Sequence, residues 1–167
     1  MAGVKYRIGG GVVNDVATAL GTVPLLKPAS ANYELLSNGV ADGTLLPLES
    51  IKSFKILDLV PHTTIVPGGL HNVSFFLVMN SDKFNSLSKE DQAAIESVSG
   101  EAFAKLAGQA WDKVDQEGLE AMKANGNTVI TADDAFVAEI KEKTAGIEAA
   151  WVKEINDKYF DFDAYGS

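Results

Sequence analysis

Arg7 is the residue most able to do chemistry. It stands at the end of a run that reads as a strand, Val4-Lys5-Tyr6-Arg7-Ile8, just before Gly9-Gly10-Gly11 and a helical pattern. Open α/β sheets place ligand-contacting groups at such strand-to-helix junctions, and a guanidinium there can take a carboxylate in a two-pronged pair. Residue types alone favour the plainer reading, a surface arginine paired with one of the 23 acids. The glycines invite a phosphate-loop reading, because amides at a helix N-terminus attract anions. They fit neither GxxxxGK[ST] nor the complete GxGxxG fingerprint, since Asn14 stands where the third glycine is needed. A tight turn is the simpler reading.

Hydrolytic and metal chemistry find less support. Ser74 lies in Asn72-Val73-Ser74-Phe75-Phe76, with no GxSxG elbow. His71 is three residues away, which on a strand points it to the opposite face. Glu34, Asp42, Glu49 and Asp58 are scattered, with no pairing that distinguishes them from a solvated surface. His62 and His71 are the only histidines and cysteine is absent, so disulfides, thiol catalysis and thiolate metal sites drop out. No metal and no cofactor is expected. Trp111 and Trp151 fall on helical stripes, where core packing is the default role.

The elements that must position Arg7 follow from composition and periodicity. The 167 residues suffice for one domain, and 46% hydrophobic with 22% charged residues is a globular composition. A formal charge of −9 without any basic block argues against a nucleic-acid partner. The longest apolar run, Val73 to Met79, is far short of the roughly 20 residues of a membrane span.

The first half reads as short strands alternating with short helices. After the glycines, Val13, Val16, Ala17 and Leu20 share a helical face, closed by Gly21. Thr22 to Leu26 reads as an edge strand because of Pro24. Ser30 reads as the N-cap of a helix carrying Tyr33, Leu36 and Val40. Asp42-Gly43 signals a turn before a strand, Thr44 to Leu46, that Pro47 stops. A brief helix over Leu48 to Ile56 and a strand over His62 to Val66 follow. Val73 to Met79 has the continuous apolar character of a strand buried on both faces, and is predicted to be the sheet's centre.

The second half is helical. Ser88-Lys89-Glu90-Asp91 has capping-box spacing, and one long helix is predicted from there to Asn125-Gly126. Ile95, Val98, Ala102, Leu106, Ala110, Val114 and Met122 form a stripe beside Phe103, Ala107 and Trp111, a face too broad for a single packing surface. Thr128 to Ile130 reads as a strand. Thr131-Ala132-Asp133-Asp134 caps a last helix through Val137, Ile140, Thr144, Ile147, Trp151 and Ile155, followed by an aromatic, acidic tail, Tyr159 to Tyr165.

Taken in order, Val4-Lys5-Tyr6-Arg7-Ile8, Ala19-Leu20-Gly21-Thr22-Val23-Pro24, Tyr33 to Gly43, Pro47-Leu48-Glu49-Ser50, Ser74 to Asn80 and Leu87-Ser88-Lys89-Glu90-Asp91-Gln92 resemble the DctP-type solute receptors of TRAP transporters. The resemblance implies a two-lobed clamshell that closes on an organic acid in the periplasm and delivers it to TRAP membrane permease subunits. It implies that Arg7 clamps the ligand carboxylate and that Asn72 faces the cleft. Where many family members carry a polar pair before the proline, this chain has Leu45-Leu46. Leucines in a cleft leave a second carboxylate or a sugar hydroxyl without partners, so an apolar or aromatic monocarboxylate fits better, unless Leu45 faces the core and only Leu46 the cleft.

The expected fold is thus an α/β, periplasmic-binding-protein-like lobe with a mixed sheet flanked by helices, residues 1–80. Long C-terminal helices, residues 81–167, in the family bridge to an N-terminal lobe. That lobe is expected to be absent here, with Met1-Ala2 an engineered start or the start of a fragment. The expected ligand residues are Arg7, Gly9, Leu46, Asn72 and Phe75, and no enzymatic role is expected. The alternatives are a C4-dicarboxylate receptor fragment, or an isolated lobe that self-associates through the surface left uncovered.

Overall fold

Alternating strands and helices with short connections dictate parallel pairing, because each helix returns the chain to the same sheet end. The computed structural model, which describes residues 1–159, follows that rule. Its elements run β1 (Lys5–Ile8), α1 (Val12–Ala19), β2 (Val23–Leu26), α2 (Asn32–Ser37), β3 (Gly43–Thr44), α3 (Ser50–Ser53) and β4 (His62–Ile65). They continue with α4 (Ser81–Asn85), α5 (Lys89–Ser97), α6 (Gly100–Ala124), β5 (Thr128–Thr131), α7 (Asp134–Thr144) and α8 (Ile147–Tyr159). The tail from 160 onward, where most of the expected aromatic surface falls, lies outside the described residues.

The α/β architecture is as expected, but its strands form two small parallel sheets in place of one mixed sheet. One has the order β2-β1-β3, with Arg7 opposite Leu25 and Thr44; the other pairs β4 with β5. Pro24 lies on the edge strand β2, where its missing N–H costs no ladder bond. The turn into α1 uses Gly11 at φ 69 and ψ −147, a conformation essentially confined to glycine.

Two apolar clusters hold these layers. Val16 of α1 and Leu20 just after it pack with Ile140 of α7, joined by Val66 and Leu70. Ile51 of α3 and Ile56 pack with Met122 of α6, with Leu46, Leu48 and Val129 around them. Ile8, Ile56 and Met122 are wholly buried, each worth roughly 1.5–3 kcal/mol of transfer free energy. The C-terminal turns of α6 and the strand β5 therefore belong to the same core as residues 51–66. Asp115 of α6 accepts the Glu49 N–H at 2.8 Å, next to the start of α3, and Lys52 meets Glu117 at 2.8 Å.

The expected central strand is not one. Residues 71–80 adopt no regular structure, and Phe75, Phe76, Leu77 and Val78 are 71–84% exposed. An apolar run becomes a buried strand only when both its faces are covered, and the aromatic stack made by this run, Phe75 on Trp111, leaves Phe75 itself 71% exposed. The single long helix is also corrected. It breaks at Val98-Ser99, before Gly100 at φ 60, and the last helix breaks near Gly146. Two of the three expected caps are made: Ser88 accepts the Asp91 N–H at 3.1 Å, and Asp133 accepts that of Phe136 at 2.8 Å, whereas Ser30 lies within a 3-10 turn and α2 starts after Ala31 without a side-chain cap.

Candidate functional site: the carboxyl end of the three-stranded sheet

β1 delivers Arg7 to the carboxyl end of its sheet, where the strand gives way to the glycine turn and α1. The residue is 5% exposed. Its Nε–H donates to the Lys27 carbonyl at 2.8 Å. That carbonyl belongs to the loop after β2, which the Lys27 N–H ties back to the Ile8 carbonyl at 3.3 Å. No acidic side chain lies within ion-pair distance of Arg7 among the described residues. Burial pushes its pKa down from the ordinary value, yet an arginine keeps its proton in a protein. Among the described residues, the site therefore contains a buried cation with no counter-charge.

The surroundings also suit an anion. α1 begins beside this sheet end without any side-chain cap, and although the Asn14 N–H donates to the Gly11 carbonyl at 2.9 Å, the Val12 and Val13 amides and the helix dipole remain available. A Cβ built at Gly9, Gly10 or Gly11 would meet nothing within 4 Å, so open space borders the turn. Among the described residues, no group of His, Asp or Glu side chains is arranged to hold a metal ion.

The expected site residues fall into two groups. Arg7 and half-buried Gly9 are neighbours on β1 and its turn. Leu46 lies two residues beyond Thr44, the β3 partner of Arg7, and packs against the Ile51–Ile56–Met122 cluster. Its neighbour Leu45 donates its N–H to the Arg7 carbonyl at 3.3 Å and belongs to neither apolar cluster. Asn72 and Phe75 lie on the exposed stretch 71–80, and no hydrogen bond joins Asn72 to the sheet end. Phe75 stacks on Trp111 of α6, with ring centroids 4.9 Å apart and planes inclined by 27°.

Two features of the sheet end gave no sequence signal. The Lys27 carbonyl orients Arg7 through main chain, which residue type cannot show. Asn32, at the start of α2, is wholly buried; its Nδ2 donates to the Ala29 carbonyl at 2.7 Å while its Oδ1 has no partner. A buried asparagine immediately before an exposed Tyr33 and Glu34 looks like any polar helix start.

In fold this is a lobe of the periplasmic-binding-protein kind, a parallel sheet whose carboxyl end is open beside a helix N-terminus. The family model for bacterial extracellular solute-binding proteins, family 7 (DctP), matches residues 1–154, and the chain belongs to that family. It is 32% identical over 149 residues to "Outer membrane transporter protein TsaT" of Comamonas testosteroni, covering 89% of this chain and 44% of that one. A TRAP periplasmic solute-binding protein of Bordetella bronchiseptica, solved with bound (R)- and (S)-mandelate, superposes with a TM-score of 0.84 at 40% identity, over 98% of this chain and 52% of that one. A marine-metagenome TRAP solute-binding protein specific for aromatic acids, in complex with metahydroxyphenylacetate, superposes at 0.89 with 36% identity, over 96% and 51%. The family and the two solved neighbours are solute-binding proteins, and the chain spans about half the length of each relative.

Proposed function

We propose that this chain holds the carboxylate of a small organic acid, an apolar or aromatic monocarboxylate, in a periplasmic receptor that feeds TRAP membrane permease subunits. One observation carries the reading: Arg7 is 5% exposed, its Nε is committed to the Lys27 carbonyl, and no described acid pairs with it. Leaving a charge buried and unpaired costs several kcal/mol in general, and a ligand carboxylate arriving in charge-assisted hydrogen bonds removes that cost.

The nature of the rest of the ligand rests on different support. Leu45-Leu46 beyond β3 offers a second carboxylate no hydrogen bond. Mandelate and metahydroxyphenylacetate, bound by two relatives, are both aromatic monocarboxylates. In this reading Arg7 anchors the carboxylate, Gly9 lets the ligand approach the main chain, and Leu45, which belongs to neither apolar cluster, meets its apolar body in place of Leu46, which faces the Ile51–Ile56–Met122 cluster. Asn72 and Phe75, on the irregular stretch 71–80, are the remaining residues of the ligand wall in this reading. Residues 1–80 act as the ligand-holding lobe and 81–167 as the helices that bridge to a second one.

Calorimetric titration with mandelate, benzoate and succinate tests this directly. Mandelate or benzoate is expected to bind in preference to succinate, and Arg7→Ala to lose at least about tenfold in affinity, the 1.4 kcal/mol of a modest charge-assisted bond. Undiminished binding by Arg7→Ala removes the arginine assignment. Tighter binding of succinate would favour a C4-dicarboxylate receptor.

A further inference from the structure

Asn38 and Asn125 are each followed by glycine, and no other asparagine of the chain is. That pairing has its own chemistry. A glycine main-chain nitrogen, unhindered by a Cβ, can attack the Cγ of the asparagine before it. The new N–Cγ bond closes a five-membered imide, the Cγ–Nδ2 bond breaks, and ammonia leaves with the proton lost by the main-chain nitrogen. Water then opens the ring at one of its two carbonyls. One opening gives aspartate; the other gives isoaspartate, in which the main chain runs through Cβ.

The two positions are matched in backbone. Each asparagine directly follows a helix, Asn38 after α2 at φ −90 and ψ 2, Asn125 after α6 at φ −76 and ψ −7. The glycines stand at φ 66 and φ 82. Each glycine N–H is held at 3.1 Å, that of Gly39 by the Leu36 carbonyl and that of Gly126 by the Lys123 carbonyl. The nitrogen must be released, and the asparagine ψ must swing away, before Cγ comes within reach. Reaction therefore proceeds from a locally opened state.

The side chains are not matched, and they set the cost of opening. Asn125 Nδ2 donates to Asp58 Oδ1 at 3.2 Å and to Asn127 Oδ1 at 2.9 Å. Asn127 in turn donates to the Leu57 and Val60 carbonyls at 3.0 and 2.9 Å, and its N–H reaches the carbonyl of wholly buried Met122 at 3.0 Å. Opening there parts the end of α6 from the segment before β4. Asn38 is exposed, and its side chain makes no hydrogen bond among the described residues. α2 has six residues and no side-chain cap, too short a helix to hold itself closed.

We propose that Asn38-Gly39 is a site of spontaneous deamidation that loosens β3, and that the bonds of Asn125 to Asp58 and Asn127 protect the second Asn-Gly pair. The consequence follows from what the turn after Asn38 joins. The Val40 and Ala41 N–H groups both bond to the Leu35 carbonyl, at 2.9 and 3.0 Å. Asp42 Oδ2 then accepts the Lys5 N–H at 2.9 Å, and the Asp42 N–H reaches the Lys5 carbonyl at 2.8 Å. β3 starts at the next residue, with Thr44 Oγ1 and the Leu45 N–H both on the Arg7 carbonyl at 3.3 Å. Isoaspartate at position 38 adds a main-chain atom to a turn whose ends are fixed. Either product also adds a negative charge at the C-terminal end of α2, where the helix dipole disfavours it. The reaction needs only water, so it stands whatever the chain binds.

The test ages the 167-residue chain at mildly alkaline pH and follows each asparagine by peptide mapping and mass spectrometry. Conversion of amide to acid is expected at Asn38 at least about tenfold faster than at Asn125, the combined worth of two modest hydrogen bonds. Asp58 is exposed, and its side chain bonds only to Asn125 among the described residues. Asp58→Ala should therefore keep the fold, speed Asn125 about threefold and leave Asn38 unchanged. Equal rates in the parent, or faster loss at Asn125, overturn the site; an Asn125 rate that ignores Asp58→Ala overturns the protection. Urea unfolding reads the consequence. The isoaspartyl fraction of the aged chain is expected to unfold at lower urea than Asn38→Asp, which has the same charge on an unaltered main chain. Coincident midpoints overturn the loosening of β3. So does an equal fall in aged Asn38→Gln, which would place the damage elsewhere.

Discussion

Gly118 of α6 lies so close to the Leu48 carbonyl that a Cβ at position 118 would stand 2.3 Å from its oxygen and 2.8 Å from its carbon. The neighbour is main chain, which cannot swing aside as a side chain can. This contact, with the Asp115 carboxylate on the Glu49 N–H, seats the long helix against the segment that follows β3.

Gly118→Ala is therefore expected to destabilise the chain. Helix propensity alone favours alanine by about 1 kcal/mol, but displacing α6 from its seat costs about 1–3 kcal/mol and loosens the Ile51–Ile56–Met122 cluster. Urea denaturation followed by circular dichroism reads the balance. A midpoint equal to or above that of the parent would show that the seat yields without cost.

Arg7→Met separates binding from stability. Removing a buried, unpaired charge in favour of an apolar side chain of similar reach is expected to raise the unfolding free energy of the ligand-free chain by about 1–2 kcal/mol, despite the lost bond to Lys27. Carboxylate binding should be lost in the same variant. A lower thermal midpoint for Arg7→Met without ligand would mean that the guanidinium has a counter-charge in solution.

His71 makes stability depend on pH. Burial lowers its pKa from 6.5, and its Nδ1 has no partner. The unfolded chain then binds the proton more tightly than the folded one, so stability contributed by neutral His71 is full above the unfolded value and is lost as pH falls below it. Between pH 7.5 and 5 the unfolding midpoint should fall, and His71→Gln should flatten that part of the profile. An unchanged slope in the variant would assign the pH dependence to other groups.

The stack of Phe75 on Trp111 offers an optical readout. In a Trp151→Phe background, Phe75→Ala is expected to shift Trp111 emission to the red, because the indole is already 37% exposed and loses its cover. Since Phe75 is 71% exposed, the unfolding midpoint should barely change. An unshifted spectrum would place the two rings apart in solution.

Local signals translated well from sequence to structure. Pro24 marked an edge strand, Gly21 closed α1, and Ser88 and Asp133 cap the helices they precede, because each effect acts within a few residues. The β4–β5 pairing joins His62 to Thr128 across most of the second half, and no local pattern reports it. Val73 to Met79 misled because apolar content records what a segment needs and says nothing of whether its neighbours are present. At the sheet end, Arg7 was legible from its junction with the glycines. The Lys27 carbonyl and the buried Asn32 were not, since main-chain acceptors and burial of a polar helix start leave no trace in residue type.

The bond from Arg7 Nε to Lys27 has a directional consequence. With the side-on edge of the guanidinium occupied, only the end-on edge, formed by its two terminal nitrogens, remains for a two-oxygen acceptor. An arriving group must approach along the axis of the side chain and in its plane, so the arginine acts as a fixed bearing. Molecules that share a planar head would then be sorted by how their bodies project from that line, and a tetrahedral head such as a sulfonate would meet the same edge with its third oxygen out of plane.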